Sequence, residues 1–179
     1  MTIERKTAIV LIDIQGKLAE IMHESESLFN NVDILIKGAN LLKIPIIWTE
    51  QLPDKLGTTT KRIGDLLLNQ EPIVKSEFSC VRNEEFSHHI KKEKYNHFLV
   101  CGIETHVCVY QTVKDLLDLE YEVELIADAV SSRTEFNRNV GIEKMKSLGA
   151  KLTNVEMLLF EKQEIAVGDT FRELIKIIK

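Results

Sequence analysis

The chain of 179 residues is short of the features that mark several large protein classes. It has three cysteines, an odd number, and no pair at CxxC spacing, which excludes a disulfide framework, a zinc ribbon and thioredoxin-like exchange. It has three prolines and eight glycines, all scattered, which excludes collagen-like and low-complexity segments. Apolar runs reach about six residues, against the roughly 20 needed to span a bilayer. The N-terminus has no apolar signal region, so the expectation is a cytoplasmic protein. A positive charge balance is also lacking. The net charge is −5, and the one basic cluster, Lys91-Lys92-Glu93-Lys94, is interrupted by an acid and suits a solvated helix end. Neither nucleic acid nor an anionic membrane is expected as a partner.

Nucleotide-binding motifs are missing as well. There is no GxGxxG, no GxxxxGK[ST] and no GxSxG, so dinucleotide, P-loop and serine-hydrolase chemistry lack their usual scaffolds. No cysteine is followed by an arginine at the CxxxxxR spacing of a phosphatase loop.

What is present is a globular composition, 44% apolar and 28% charged, in a length that fits one domain over 1–179. Short apolar runs alternate with helical patterns. Ala8–Ile12, Ile44–Trp48, Pro72–Lys75, Phe98–Cys101, Val123–Ala127 and Lys151–Thr153 read as strands. Leu28, Val32, Leu35, Ala39 and Leu42 mark one helix face. Further helices are expected near 60–69, over Asn83–Lys94 with Asn83 as N-cap, after Thr105, over Glu135–Leu148 before Gly149, and over Phe171–Ile178. Unbroken apolar strands are buried on both faces, so the expected class is a three-layer α/β/α domain around a parallel sheet. Ligands in such sheets bind beyond the C-terminal strand ends.

Three chemically capable residues fall at those ends: Asp13 after the first strand, Lys75 at the end of the third and Cys108 just after the fourth. With Thr105 as N-cap, Cys108 stands in the first helical turn, where free N–H groups and the helix dipole favour a thiolate. A nearby lysine would lower the thiol pKa further, and a carboxylate could take its proton. The bland alternatives are a buried thiol acting as a small hydrophobe, an Asp forming a turn and a lysine at the surface. Cys101 reads as core and Cys80 has no evident partner. For His106, beside the thiol, chemistry, packing and a subunit interface all stay open.

Taken in order, Asp13-Ile-Gln15, Lys75 with Phe78-Ser79, Gly102-Ile-Glu-Thr-His-Val-Cys-Val109, Ala127-Asp-Ala-Val-Ser-Ser-Arg133 and Gly149-Ala-Lys-Leu-Thr-Asn-Val-Glu156 resemble the isochorismatase-like cysteine hydrolases. The resemblance runs from about Thr7 to Phe160. It implies a six-stranded parallel sheet in the order 3-2-1-4-5-6 and a catalytic triad of Asp13, Lys75 and Cys108. It further implies an oxyanion hole from the backbone N–H groups of Glu104 and Cys108, a non-proline cis peptide at Ile103–Glu104, and a homo-oligomer. Gln15, Gln51 and Phe78 become candidates for the substrate pocket. Nicotinamidases in this family bind a metal through Asp-x-His after the second strand. Here that place reads Thr49-Glu-Gln-Leu-Pro-Asp-Lys-Leu-Gly57, so no metal and no cofactor are expected. True isochorismatases lack the cysteine. The resemblance therefore implies a metal-independent hydrolase of a small amide or related C–N compound, working through a thioester on Cys108. The alternatives are isochorismate (vinyl ether) hydrolysis and a non-catalytic binding or scaffold protein.

Overall fold

The computed structural model describes residues 5–67 and 70–179. Six strands form one sheet: β1 (Thr7–Ile12), β2 (Ile46–Gln51), β3 (Ile73–Lys75), β4 (His97–Ile103), β5 (Glu122–Ser131) and β6 (Lys151–Thr153). The order is β3-β2-β1-β4-β5-β6 and every pairing is parallel, as the resemblance implied. The chain runs outward from β1 in one direction and then restarts beside β1 with β4. That reversal leaves a crevice at the C-terminal ends of β1 and β4.

Alternation along β1 explains the two cores. Ile9 and Leu11 face one side and pack with Val32, Leu35 and Ile36 of α2 (Ser25–Leu42), Leu158 and Leu159 of α8 (Val155–Gln163) and Leu174 of α9 (Asp169–Ile178). Ala8, Val10 and Ile12 face the other, against Phe86 and Ile90 of α5 (Glu84–Lys92), Val113 and Leu116 of α6 (Tyr110–Asp118) and Met145 of α7 (Glu135–Ser147). Helices thus cover both faces, which is why β1 and β4 carry almost no polar residue.

Some boundaries differ from the expected ones. β2 runs on to Gln51, because Thr49, Glu50 and Gln51 pair with β3 although they break the apolar run. β5 continues past Asp128 to Ser131. Its register against β4 jumps from Val100–Leu125 to Gly102–Val130, leaving an irregular stretch whose carbonyls need other partners. Arg138 of α7 supplies them, donating Nε to Val130 O (3.0 Å) and Nη2 to Ala127 O, while Asn31 Nδ2 donates to Asp128 O (2.7 Å). The helix expected near 60–69 is a single turn, α4 (Lys61–Gly64), short like α1 (Gly16–Glu20) and α3 (Pro53–Leu56), and the end of that expectation lies outside the described residues. α8 was not expected at all. Its N-cap Asn154, whose side chain accepts from Met157 N, directly follows the short β6. Asn83 caps α5 as expected, accepting from Phe86 N at 3.1 Å.

Candidate active site

β1 ends at Ile12, and Asp13 turns the chain with a φ of 52°. Its carboxylate is buried and held from two sides. Lys75 Nζ, on the last residue of β3, donates to Oδ2 at 2.6 Å. Thr49 Oγ1, opposite Ile12 in the β1–β2 register, donates to Oδ1 at 2.7 Å. Lys75 Nζ also reaches the carbonyls of Glu77 (3.1 Å) and Phe78 (3.4 Å). The ammonium thereby has oxygen partners on several sides, which is what a cation shut off from water requires. Burial pulls the Lys75 pKa down, but Cys80, Asp13 and Cys108 around it outweigh that, so it stands above its ordinary 10.5.

Gly102 brings β4 to the same place. Its φ is 118°, and a Cβ there would lie 2.1 Å from the Ile12 carbonyl oxygen, so only glycine lets the two strand ends approach. The Ile103–Glu104 peptide that follows is cis. Residues Thr105–Val109 then form a π-helical turn ahead of α6. The Glu104 carbonyl accepts from Val107 N (3.0 Å) and Val109 N (3.3 Å). Thr105 is therefore not the N-cap that its type suggested. Glu104 holds that place, and the buried Thr105 hydroxyl has no hydrogen-bond partner among the described residues. Gly141 of α7 lets that helix lie against the turn, since a Cβ there would sit 3.0 Å from Thr105 O. His106 Nδ1 pairs with Ser132 Oγ at 3.0 Å.

The turn places the Cys108 thiol beside Asp13 and 3.7 Å from Gln51 Oε1. Together with Leu18, Leu56, Phe78, Ile103, Glu104 and Val107, these three residues line a recess of about 100 Å³. Asp13, Lys75 and Cys108 thus meet at one sheet edge, as their sequence positions suggested. The thiol is not electrostatically activated at rest, contrary to the expectation of a lowered pKa. Burial and then the Asp13 carboxylate push it well above the usual thiol range, and the nearby Lys75 does not compensate. Cys80, the thiol with no evident partner in the sequence, lies 3.8 Å from Thr49 Oγ1 behind the ion pair. Burial pushes it up to about 11 despite Lys75. Cys101 is core.

Of the three pocket candidates, Gln51 and Phe78 face the recess and Gln15 does not. Gln15 is fully buried, and its amide is spent on backbone. Oε1 accepts from Gln51 N (2.7 Å), and Nε2 donates to Gln51 O (3.1 Å) and Gly57 O (2.6 Å). It ties the segment after β2 to the end of β1. Glu50 does similar work, accepting from Thr59 N at 2.6 Å. Among the described residues no group of three or more His, Cys, Asp or Glu is placed to hold a metal ion.

One residue, Thr49, and the side-chain role of Glu104 escaped the sequence reading. Thr49 orients Asp13, and its signal was its place at the β2 end beside β1. Glu104 accepts from Arg133 N (3.0 Å) and Nε (3.2 Å), which fixes the recess wall to the end of β5. A larger cleft of about 520 Å³, between β2 and α5, includes none of Asp13, Lys75 or Cys108 in its lining.

Residues 7–157 match the isochorismatase domain family. Isochorismatase family protein 1B of Dictyostelium discoideum is 35% identical over 97% of this chain and 86% of its own length. The secreted isochorismatase effector Isc1 of Phytophthora sojae is 32% identical over 99% and 86%. The solved structure of the MAR1 ribonuclease from Caenorhabditis elegans superposes with a TM-score of 0.89 at 32% identity, covering 99% of this chain and 92% of that one.

Proposed function

Because the chain belongs to the isochorismatase family, we propose that it is a metal-independent cysteine hydrolase of a small amide or related C–N compound. The observation that carries this reading is the meeting of a doubly held carboxylate and a thiol in one apolar recess, Asp13 against Cys108 with Lys75 behind.

Cys108 is the nucleophile. Its raised pKa keeps it a thiol until substrate arrives, so the attack needs a base in place. Asp13 takes the proton as sulfur bonds to the carbonyl carbon, and the oxygen develops negative charge toward the backbone N–H groups of Glu104 and Cys108. Asp13 returns the proton to the departing nitrogen as the C–N bond breaks, leaving an S-acyl enzyme. Water, deprotonated by Asp13, then attacks the thioester. The acid leaves and the thiol recovers its proton. Lys75 and Thr49 hold Asp13 in one orientation throughout. No step requires a metal, cofactor or external reductant.

The Phytophthora relative's name favours isochorismate as a second substrate reading. Against it, isochorismate is a dicarboxylate, and among the described residues no Lys, Arg or His lines the recess. The Caenorhabditis protein's ribonuclease name meets the same objection, since RNA binding rests on cations that neutralise phosphates. A homo-oligomer goes with the family reading. Phe136 and Val140, one turn apart on α7, are largely exposed and would suit a subunit contact.

The test is a screen of small amides, nitriles and carbamoyl compounds with wild type and Cys108→Ala. Turnover by wild type, lost in a Cys108→Ala protein of unchanged melting temperature, is expected. Undiminished turnover by that variant overturns the reading, and pyruvate release from isochorismate would establish the vinyl-ether alternative.

A further inference from the structure

The Gln51 side chain is oriented from both ends. Nε2 faces the carbonyls of Glu77 (3.3 Å) and Ser76 (3.4 Å), and the Gln51 backbone is clamped by Gln15. With the NH2 end turned to carbonyl oxygens, Oε1 must point at the Cys108 sulfur, 3.7 Å away. In the free protein the thiol donates to this oxygen, with the Asp13 carboxylate beside it. Once Asp13 has taken the proton, Oε1 is a buried acceptor beside a sulfur that can no longer donate. An acceptor left in that state is costly, and the incoming molecule is the available source of a new donor. An amide N–H supplies one; an ester oxygen cannot.

The rest of the recess restricts the acyl group. Leu18, Leu56, Ile103, Val107 and Phe78 form apolar walls around about 100 Å³. The charged side chains on the lining are Asp13 and Glu104, so an acyl carboxylate would meet like charge.

We propose that Gln51 is the specificity-determining residue of this site, its Oε1 accepting an N–H from the primary amide of a short, uncharged acyl compound. The proposal rests on the hydrolase reading and deepens it. Its geometry puts the carbonyl carbon over sulfur and the nitrogen on the side of Gln51 and Asp13.

Three small alkylating probes test it in the full-length chain: chloroacetamide, methyl chloroacetate, which is larger by one methyl group, and chloroacetate. Alkylation of each cysteine is followed by mass spectrometry and peptide mapping. Each rate is divided by that of the same probe with a free thiolate. Wild-type Cys108 should favour the amide over the ester by about fivefold, the ratio an ordinary neutral hydrogen bond supplies. The anionic probe should be slower than either. Gln51→Met should bring amide and ester to parity, and Gln51→Glu, which keeps an acceptor oxygen, should keep the preference. A wild-type Cys108 with no amide preference, or a preference that survives in Gln51→Met, overturns the proposal and leaves the hydrolase reading standing. Equal labelling of Cys80, Cys101 and Cys108 overturns that reading itself. If Gln51→Met does not fold, the wild-type ratio and the Gln51→Glu variant still decide.

Discussion

Lys75 Nζ lies 2.6 Å from Asp13 Oδ2, with neither side chain open to more than a trace of solvent. Such a pair is costly to break from one side, because the surviving charge stays buried. Lys75→Met should therefore cost about 3–5 kcal/mol in urea denaturation. Adding Asp13→Asn should return most of that loss, since the pair is then replaced by two neutral groups. A double variant as unstable as the single one would show that Lys75 stabilises the fold through its stem and carbonyl contacts instead.

Asp13→Asn should separate two properties of Cys108. Turnover should fall by roughly 10²–10⁴, the usual contribution of a positioned general base. Alkylation of Cys108 at pH 8 should nevertheless speed up. The Asp13 charge is one of the causes holding the thiol pKa high, and its removal leaves Lys75 as the neighbouring charge. Parallel loss of both properties would mean that Asp13 only maintains the shape of the recess.

All three thiols are held above the ordinary 9.0 by burial, Cys80 at about 11 and the other two higher still. Above pH 9 the unfolded chain releases protons that the folded chain keeps, so stability falls as pH rises. Each thiol contributes a slope approaching about 1.4 kcal/mol per pH unit. Lys75 acts with the same sign. Its raised pKa gives stability that is complete below 10.5 and lost as pH climbs through the folded value. Urea midpoints taken from pH 8 to 10.5 should thus be flat at first with respect to these groups and then decline. Cys101→Val should remove about a third of the slope in the range where the thiols alone act. An unchanged slope in that variant would refute the assignment.

Gly102→Ala should destabilise by about 3 kcal/mol or more, the upper end for overpacking, because a methyl group 2.1 Å from a backbone carbonyl cannot be relieved by turning a side chain. Any soluble fraction should show reduced turnover, since β4 carries the π turn away from the general base Asp13 as it shifts. Thermal melting and turnover of the same sample check both statements.

The sheet was legible because parallel strands covered on both faces leave unbroken apolar runs, and Ala8–Ile12 and Phe98–Cys101 are such runs. The polar ends of β2 and β5 were not. Thr49-Glu-Gln51 pairs through backbone, and each side chain is recruited by a distant partner, which no local pattern records. Asp13, Lys75 and Cys108 could be singled out because topology sends all three to one edge. Gln15 misled for a related reason. It also sits at that edge, but its amide is turned onto Gln51 and Gly57 backbone, an orientation set by the loop and not by its neighbours in sequence. The Thr105 expectation failed because a good capping residue type does not select the first turn when that turn is π-helical and starts one residue earlier, at the Glu104 carbonyl.

The Gln15 amide has a consequence for how this site can change. It links Gly57, the C-cap of the single helical turn Pro53–Leu56, to the Asp13 turn, and that segment is joined again where Gly16 N meets Thr58 O at 3.1 Å. The Leu56 wall of the recess therefore hangs from a few polar links, whereas sulfur, carboxylate and ammonium are carried by β4, β1 and β3. This one wall of the recess and the bond-breaking machinery stand on separate supports. Residues 52–58 can be rebuilt for a new acyl group while the chemistry beneath them stays as it is, provided Gln15 keeps its hold.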